Sequence, residues 1–261
     1  MMQVFAIAHN TFREAVRNRI FASLIFFAIA MLGLTLAMSS ASLNEEIRLM
    51  KDDGMFLIST ASVFIAIFTG VNLVYKEIEY KTVYTIMPKP IFRSQFLLGK
   101  YLGLALTMLI LVSIMGLVLC GLLVMVGGQP GISIAQAIWL LYVEVLIVLA
   151  VALVFSSFST PFLSGLMTLG VFMVGRFVDV LRNLHLGDKD DPSATLDAIS
   201  TVVQWLAKIS PDLSLYNVTA HLVYERPVSG EYLFQASMLG LTYILIGLFV
   251  ASIFFGRRDF V

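Results

Sequence analysis

Six long apolar runs separated by shorter polar stretches frame this chain, at about 20 to 40, 55 to 75, 101 to 126, 134 to 156, 161 to 180 and 233 to 255. A hydrocarbon layer roughly 30 Å thick is crossed by about 20 mostly apolar residues in a helix, and each run is long enough. The runs are apolar on all faces, whereas barrel strands show roughly ten-residue segments of alternating polarity. The pattern therefore predicts an all-α integral membrane protein, one transmembrane domain over residues 1–261 with six transmembrane helices.

Ahead of the first run, Val4, Phe5, Ile7, Ala8, Phe12, Ala15, Val16 and Ile20 fall near helical spacing, with Asn10, Arg13, Glu14, Arg17 and Asn18 between them. Residues 1–19 are thus expected to form an amphipathic helix in the membrane interface, the alternative being a simple extension of the first span. Arg13, Arg17 and Arg19 follow a long lead and no small-residue cleavage site comes after the run, so this end is expected to be retained.

The polar stretches differ in character. Residues 76–100 carry alternating charge, an aromatic ladder of Tyr75, Tyr80 and Tyr84, and two prolines. Glu77 and Lys81 lie one helical turn apart, and Pro88 and Pro90 must break the helix because each lacks an amide donor and restricts its predecessor. The reading is a short helix continuing the second span, a rigid turn, and a helix restarting at Ile91 that runs into the third span past Gly99. Residues 181–232 form the largest remaining polar segment. There Leu196, Ile199, Val202, Val203, Leu206 and Ile209 recur at helical spacing, and Pro211 and Pro227 bracket a second short element, SLYNVTAHLVY. Both are read as surface helices or lids.

Composition agrees with the pattern: 59% of residues are hydrophobic, 13% are charged, and the mean hydropathy is +0.92. The net charge of zero hides an asymmetry. With six spans both termini share a side with residues 76–100. That side holds ten basic residues (Arg13, Arg17, Arg19, Lys76, Lys81, Lys89, Arg93, Lys100, Arg257 and Arg258) against four acidic ones (Glu14, Glu77, Glu79 and Asp259). The other side keeps seven basic and twelve acidic residues, with Glu144 inside a span. Short translocated loops are poor in Lys and Arg, so both termini and the 76–100 segment are expected in the cytoplasm, and no nucleic-acid partner follows.

Cys120, the single cysteine, lies in the third run, which leaves no internal disulfide or thiolate cluster. His9, His185 and His221 are scattered and stand in no metal-ligand spacing, so no metal site is expected. There is no GxxxxGK[ST] phosphate loop, so any ATP and Mg must be held by another polypeptide, and the chain is not expected to be an enzyme or to carry a cofactor. Inside the membrane Glu144 is the candidate, since a carboxylate there needs protonation, a partner or water. Arg176 and Asp179, three apart, are spaced to pair on one helix face. Two roles stand for Glu144: structural pairing, with Arg176 as partner, or a part in the transport path. Gly165, Gly170 and Gly175 recur every five residues and form no single small-residue stripe.

Four segments, AHNTFREAVRNRIF, EIEYKTVYTIMPKPIFRSQFLLGKYLG, ISPDLSLYNVTAHLVYERPVS and FFGRRDF, resemble the permease subunits of type-2 ABC exporters. The nearest branch is that of multicopper-enzyme maturation and nitrous-oxide-reductase accessory permeases. The resemblance covers essentially the whole chain. It implies a type-2 ABC exporter permease fold: a dimer of six-span subunits, each with an elbow helix before its first span, in the bacterial cytoplasmic (inner) membrane. It further implies that residues 77–93 are a coupling helix docking on a separate ABC ATP-binding subunit, two copies per complex. Its contacts would come from Glu77, Glu79, Tyr80, Lys81, Thr82, Tyr84, Pro88, Pro90 and Arg93, with the SSFST turn at 156–160 approaching the same ATPase. Where other branches often have Gly-Thr, this chain has Lys81 and Thr82. The expected function is the permease half of an ATP-driven exporter, as a homodimer or with a sister permease. The alternatives are a non-transporting membrane scaffold for an ABC-ATPase-driven machine and an ion-coupled secondary transporter; against the latter, only one isolated acid and no evident internal repeat are found.

Overall fold

A computed structural model describes residues 2–39, 46–79, 93–178, 210–219 and 228–257. They form seven α-helices: α1 (Met2–Arg17), α2 (Arg19–Ser39), α3 (Glu46–Glu79), α4 (Arg93–Met125), α5 (Ile132–Ser156), α6 (Pro161–Arg176) and α7 (Gly230–Arg257), with a 3-10 turn at Ser214–Tyr216. By length and composition α3, α4, α5 and α7 suffice to cross a membrane. Helices α1 and α2 meet that test only as a pair bent by 62°, and α6 is apolar but only 16 residues long.

Two of the helices exceed their apolar runs. α3 reaches back to Glu46, well before residue 55, and α4 is described from Arg93, ahead of residue 101, while Ile91 lies outside the described residues. Polar Arg48, Lys51, Asp52 and Asp53 hide the first turns of α3 from a hydropathy reading; Lys51 is nonetheless buried. At 1.5 Å per residue both helices are about 50 Å long, some 20 Å more than a hydrocarbon layer. The helix expected at 195–209 lies outside the described residues, and of the second outer element only the 3-10 turn and its flanks fall within them.

Helix α5 is the hub, in contact with α3, α4, α6, α7 and the 3-10 turn. Its seam with α4 is closed by a reciprocal clasp: Tyr101 donates to the Leu146 carbonyl (3.1 Å) and Tyr142 donates to the Ala105 carbonyl (3.2 Å). Each helix offers a hydroxyl and a carbonyl one turn apart, and antiparallel packing brings them level. The link from α4 to α5 turns at Gly127, whose φ of 84° is a left-handed conformation that glycine adopts without strain. Gly128 N–H reaches back to the Leu123 carbonyl at 2.9 Å and Gly127 N–H to that of Val124 at 3.1 Å, a Schellman ending. At the other end of α5, Thr160 precedes Pro161, which takes the first position of α6 where its missing N–H costs nothing.

Helix α1 lies against α4 by virtue of two glycines. A Cβ on Gly99 would stand 2.8 Å from Ile7 Cβ, and one on Gly103 would stand 2.5 Å from the Ala8 carbonyl oxygen. The Gly99-x-x-x-Gly103 spacing is the signal of this close approach. Gly103→Val should therefore push α1 off α4 and cost about 1 to 3 kcal/mol, lowering the thermal midpoint in detergent. Gly121→Ala, where an added Cβ meets nothing within 4 Å, should leave the midpoint level or slightly higher. Equal losses in both variants would contradict this packing.

Candidate functional site

The antiparallel order of the helices gives the bundle two unlike ends. The starts of α4 and α6 and the ends of α3, α5 and α7 share one end with α1. Phe96 of α4 stacks on Phe255 of α7 there (centroids 6.3 Å apart), and Phe158, in the turn after α5, packs on Phe254 at 5.1 Å. Lys100, buried, stands 5.5 Å from the Phe96 ring centre and 3.9 Å from a Glu14 carboxylate oxygen of α1. Lys100 thus ties α4 to α1, and Phe96 ties α4 to α7. The 156–160 turn lies at the same end, with Ser156 and Ser157 hydroxyls donating back to the carbonyls of Leu153 (3.1 Å) and Val154 (2.6 Å).

Between α3 and α6 at this end runs an apolar groove of about 450 Å³, walled by Phe64, Phe68 and Asn72 on one side and Phe162, Leu166 and Leu169 on the other. Gly165, also in the wall, leaves room against Ile67, the nearest atom to an added Cβ at 3.9 Å. Asn72 turns its amide onto the Phe68 carbonyl (2.8 Å), so the groove presents little polarity. Ser62 on α3 and Ser164 on α6 are buried hydroxyls without a hydrogen-bond partner among the described residues.

Towards the opposite end, midway along α5, an ion pair joins α5 to α6. Arg176, the last residue of α6, donates from a guanidinium nitrogen to Glu144 Oε1 of α5 at 2.6 Å, with the side chains 17% and 1% exposed. Of the two partners considered for Arg176, the structure records Glu144; Asp179 lies outside the described residues. Above the pair, residues 210–216 are pinned by three hydrogen bonds to two helices. Ser210 Oγ donates to the Val171 carbonyl (3.2 Å) and Leu213 N–H to that of Gly175 (3.0 Å), both on α6. Tyr216 donates to the Ala236 carbonyl of α7 at 3.0 Å. Gly175 is needed because a Cβ there would stand 2.6 Å from the Pro211 carbonyl oxygen. Burial, and then neighbouring Tyr243 and Tyr232, push the Tyr216 hydroxyl up, so it stays a donor. Gln136 completes the cap, its amide pairing with both Val228 N–H (3.0 Å) and C=O (3.1 Å). No local pattern marks Gln136 or the tyrosines, because their partners are 17 to 92 residues away.

The coupling candidates divide. Glu77 and Glu79 belong to the last turns of α3 and Arg93 opens α4, while Tyr80, Lys81, Thr82, Tyr84, Pro88 and Pro90 lie outside the described residues.

Among the described residues, a helical bundle with several membrane-capable helices, a buried ion pair and an apolar groove marks a multi-pass membrane protein. A family model described as ABC-2 family transporter protein matches residues 5–260, and the chain belongs to that family. It is accordingly a membrane permease component of an ABC transporter, a class that works with an ATP-binding subunit and is not itself the catalytic part. Among curated proteins, none matches the chain.

Removing one half of a buried pair leaves the other charge stranded, so Glu144→Ala should cost about 3 to 5 kcal/mol of stability. Glu144→Leu with Arg176→Met should recover most of that loss in a detergent melt. A single variant as stable as the parent would show that Arg176 does not need this partner.

Proposed function

We propose that this chain is the membrane half of an ATP-driven exporter in a bacterial cytoplasmic membrane, working as a dimer and driven by a separate ATP-binding subunit. Six crossings, with α1 as an interfacial elbow and both termini cytoplasmic, fit the charge asymmetry. The observation that carries the reading is the overlength of α3 and α4. At the ends that flank residues 80–92, α4 begins eight residues ahead of the apolar run at 101 and α3 runs four residues past the one ending at 75, so both helices carry past the apolar layer there as levers, while the larger excess of α3, residues 46–54, lies at the opposite end.

Both levers pack on α5, and α3 also lines the groove with α6. A displacement of the levers when two ATPase subunits close would therefore change the groove directly. In this reading the groove belongs to the translocation path, open at the lever end and blocked further along by Glu144–Arg176 at mid-bundle and by residues 210–216 beyond it. Alternation between inward-open and outward-open forms is then a rigid-body exchange between two packings. The accessory-permease branch remains part of the proposal on the strength of the four matching segments, and the cargo is left to experiment because a fold does not fix a substrate.

Glu79→Ala and Arg93→Ala test the docking site. Each should lower ATPase stimulation by the permease several-fold, as truncation of a central interface residue does, with membrane insertion normal. Unchanged transport and ATPase coupling in both variants would refute the assignment.

A further inference from the structure

Helix α1 has two dissimilar sides. Towards α4 it buries Thr11 and Ala15 and sets Ile7 and Ala8 over the two glycines. Away from α4, Phe5 is 78% and Val16 48% exposed. Arg13 and Arg17 are both exposed one turn apart, about 80° and 120° around the helix from Phe5 at 100° per residue. The outward side thus grades from an apolar edge into a cationic one.

Among the described residues the charges on that side are uncompensated. α1 has one acidic residue, Glu14, about 180° from Phe5, and it faces Lys100 of α4 at 3.9 Å. Neither Arg13 nor Arg17 makes an ion pair or side-chain hydrogen bond among the described residues. Two arginines that served packing would be paired within the bundle; these point out of it, beside exposed aromatic surface. A guanidinium fork matches phosphate oxygens in two-point geometry, and an apolar edge beside it suits the boundary between headgroups and acyl chains.

We infer that the outward face of α1 is a docking surface for anionic phospholipid, with Arg13 and Arg17 on the headgroup phosphates and Phe5 and Val16 among the upper acyl carbons. The inference rests on the interfacial reading of α1. An anionic leaflet attracts each nearby arginine by about fivefold, so the pair should enrich such lipid about 25-fold over a zwitterionic one. The lipid would then help fix α1, and through Gly99 and Gly103 the start of the α4 lever.

The test uses the full chain with Cys120→Ala and Asn10→Cys, fluorescently labelled at position 10, in phosphatidylcholine nanodiscs. Quenching is compared for trace phosphatidylglycerol and trace phosphatidylcholine carrying the same headgroup-level spin label. Stronger quenching by phosphatidylglycerol is expected, falling to the phosphatidylcholine level with Arg13→Gln and Arg17→Gln together and largely kept with both as lysine. Equal quenching by the two lipids in the arginine protein overturns anion recognition while leaving α1 at the interface. No quenching by either overturns it together with the interfacial reading, and an undiminished preference in the glutamine variant removes the role of these arginines.

Discussion

Hydrocarbon offers no hydrogen bonds, and the rest of this architecture depends on that constraint. Side-chain hydroxyls within the helices turn back onto their own backbone: Thr35 to Leu32, Thr69 to Ile65, Thr107 to Gly103, Thr168 to Ser164 and Thr242 to Met238. Other polar groups join helices, as in the Tyr101–Leu146 and Tyr142–Ala105 clasp, while the buried hydroxyls of Thr11, Ser62 and Ser164 do neither among the described residues. The buried carboxylate of Glu144 obeys the same rule with Arg176. Lipid gives apolar side chains little reason to prefer one another, so these polar links and the close glycine contacts define where α5 sits among its neighbours.

The two ends of the bundle use these devices differently. At the end holding α1, aromatic stacking and the Lys100 cluster bind α1, α4 and α7 into a block, and a groove lies open between α3 and α6. Towards the other end hydrogen bonds pin an irregular segment onto α6 and α7, and the ion pair ties α6 to α5 midway along the bundle. A bundle stiff at its lever end and clipped at its far end is suited to being pushed from one side and released on the other.

Much of this was legible in the chain because hydropathy and length speak directly to helices in lipid. Each of the six runs overlaps one of α2 to α7, and the amphipathic spacing before Ile20 overlaps α1. Glu144 announced itself as a charge in an apolar run, and its partner could be named because the residue that ends α6 comes level with it. Hydropathy failed at the first turns of α3, where charged residues continue a helix that composition alone would end. It was silent on Gln136, Tyr216 and the tyrosine clasp, since those contacts depend on which helices become neighbours. The glycine spacing at 99 and 103 was a readable signal, overshadowed by the less regular glycines of α6.

The central claim is that a separate ATPase drives this bundle through the segment between α3 and α4. Affinity purification of the tagged chain from its native membrane in mild detergent, followed by mass spectrometry of what stays bound, tests it most directly. The account predicts a P-loop ABC ATPase at one copy per chain, lost when Glu79 and Arg93 are both replaced by alanine. A chain that comes out alone and still moves solute would contradict it.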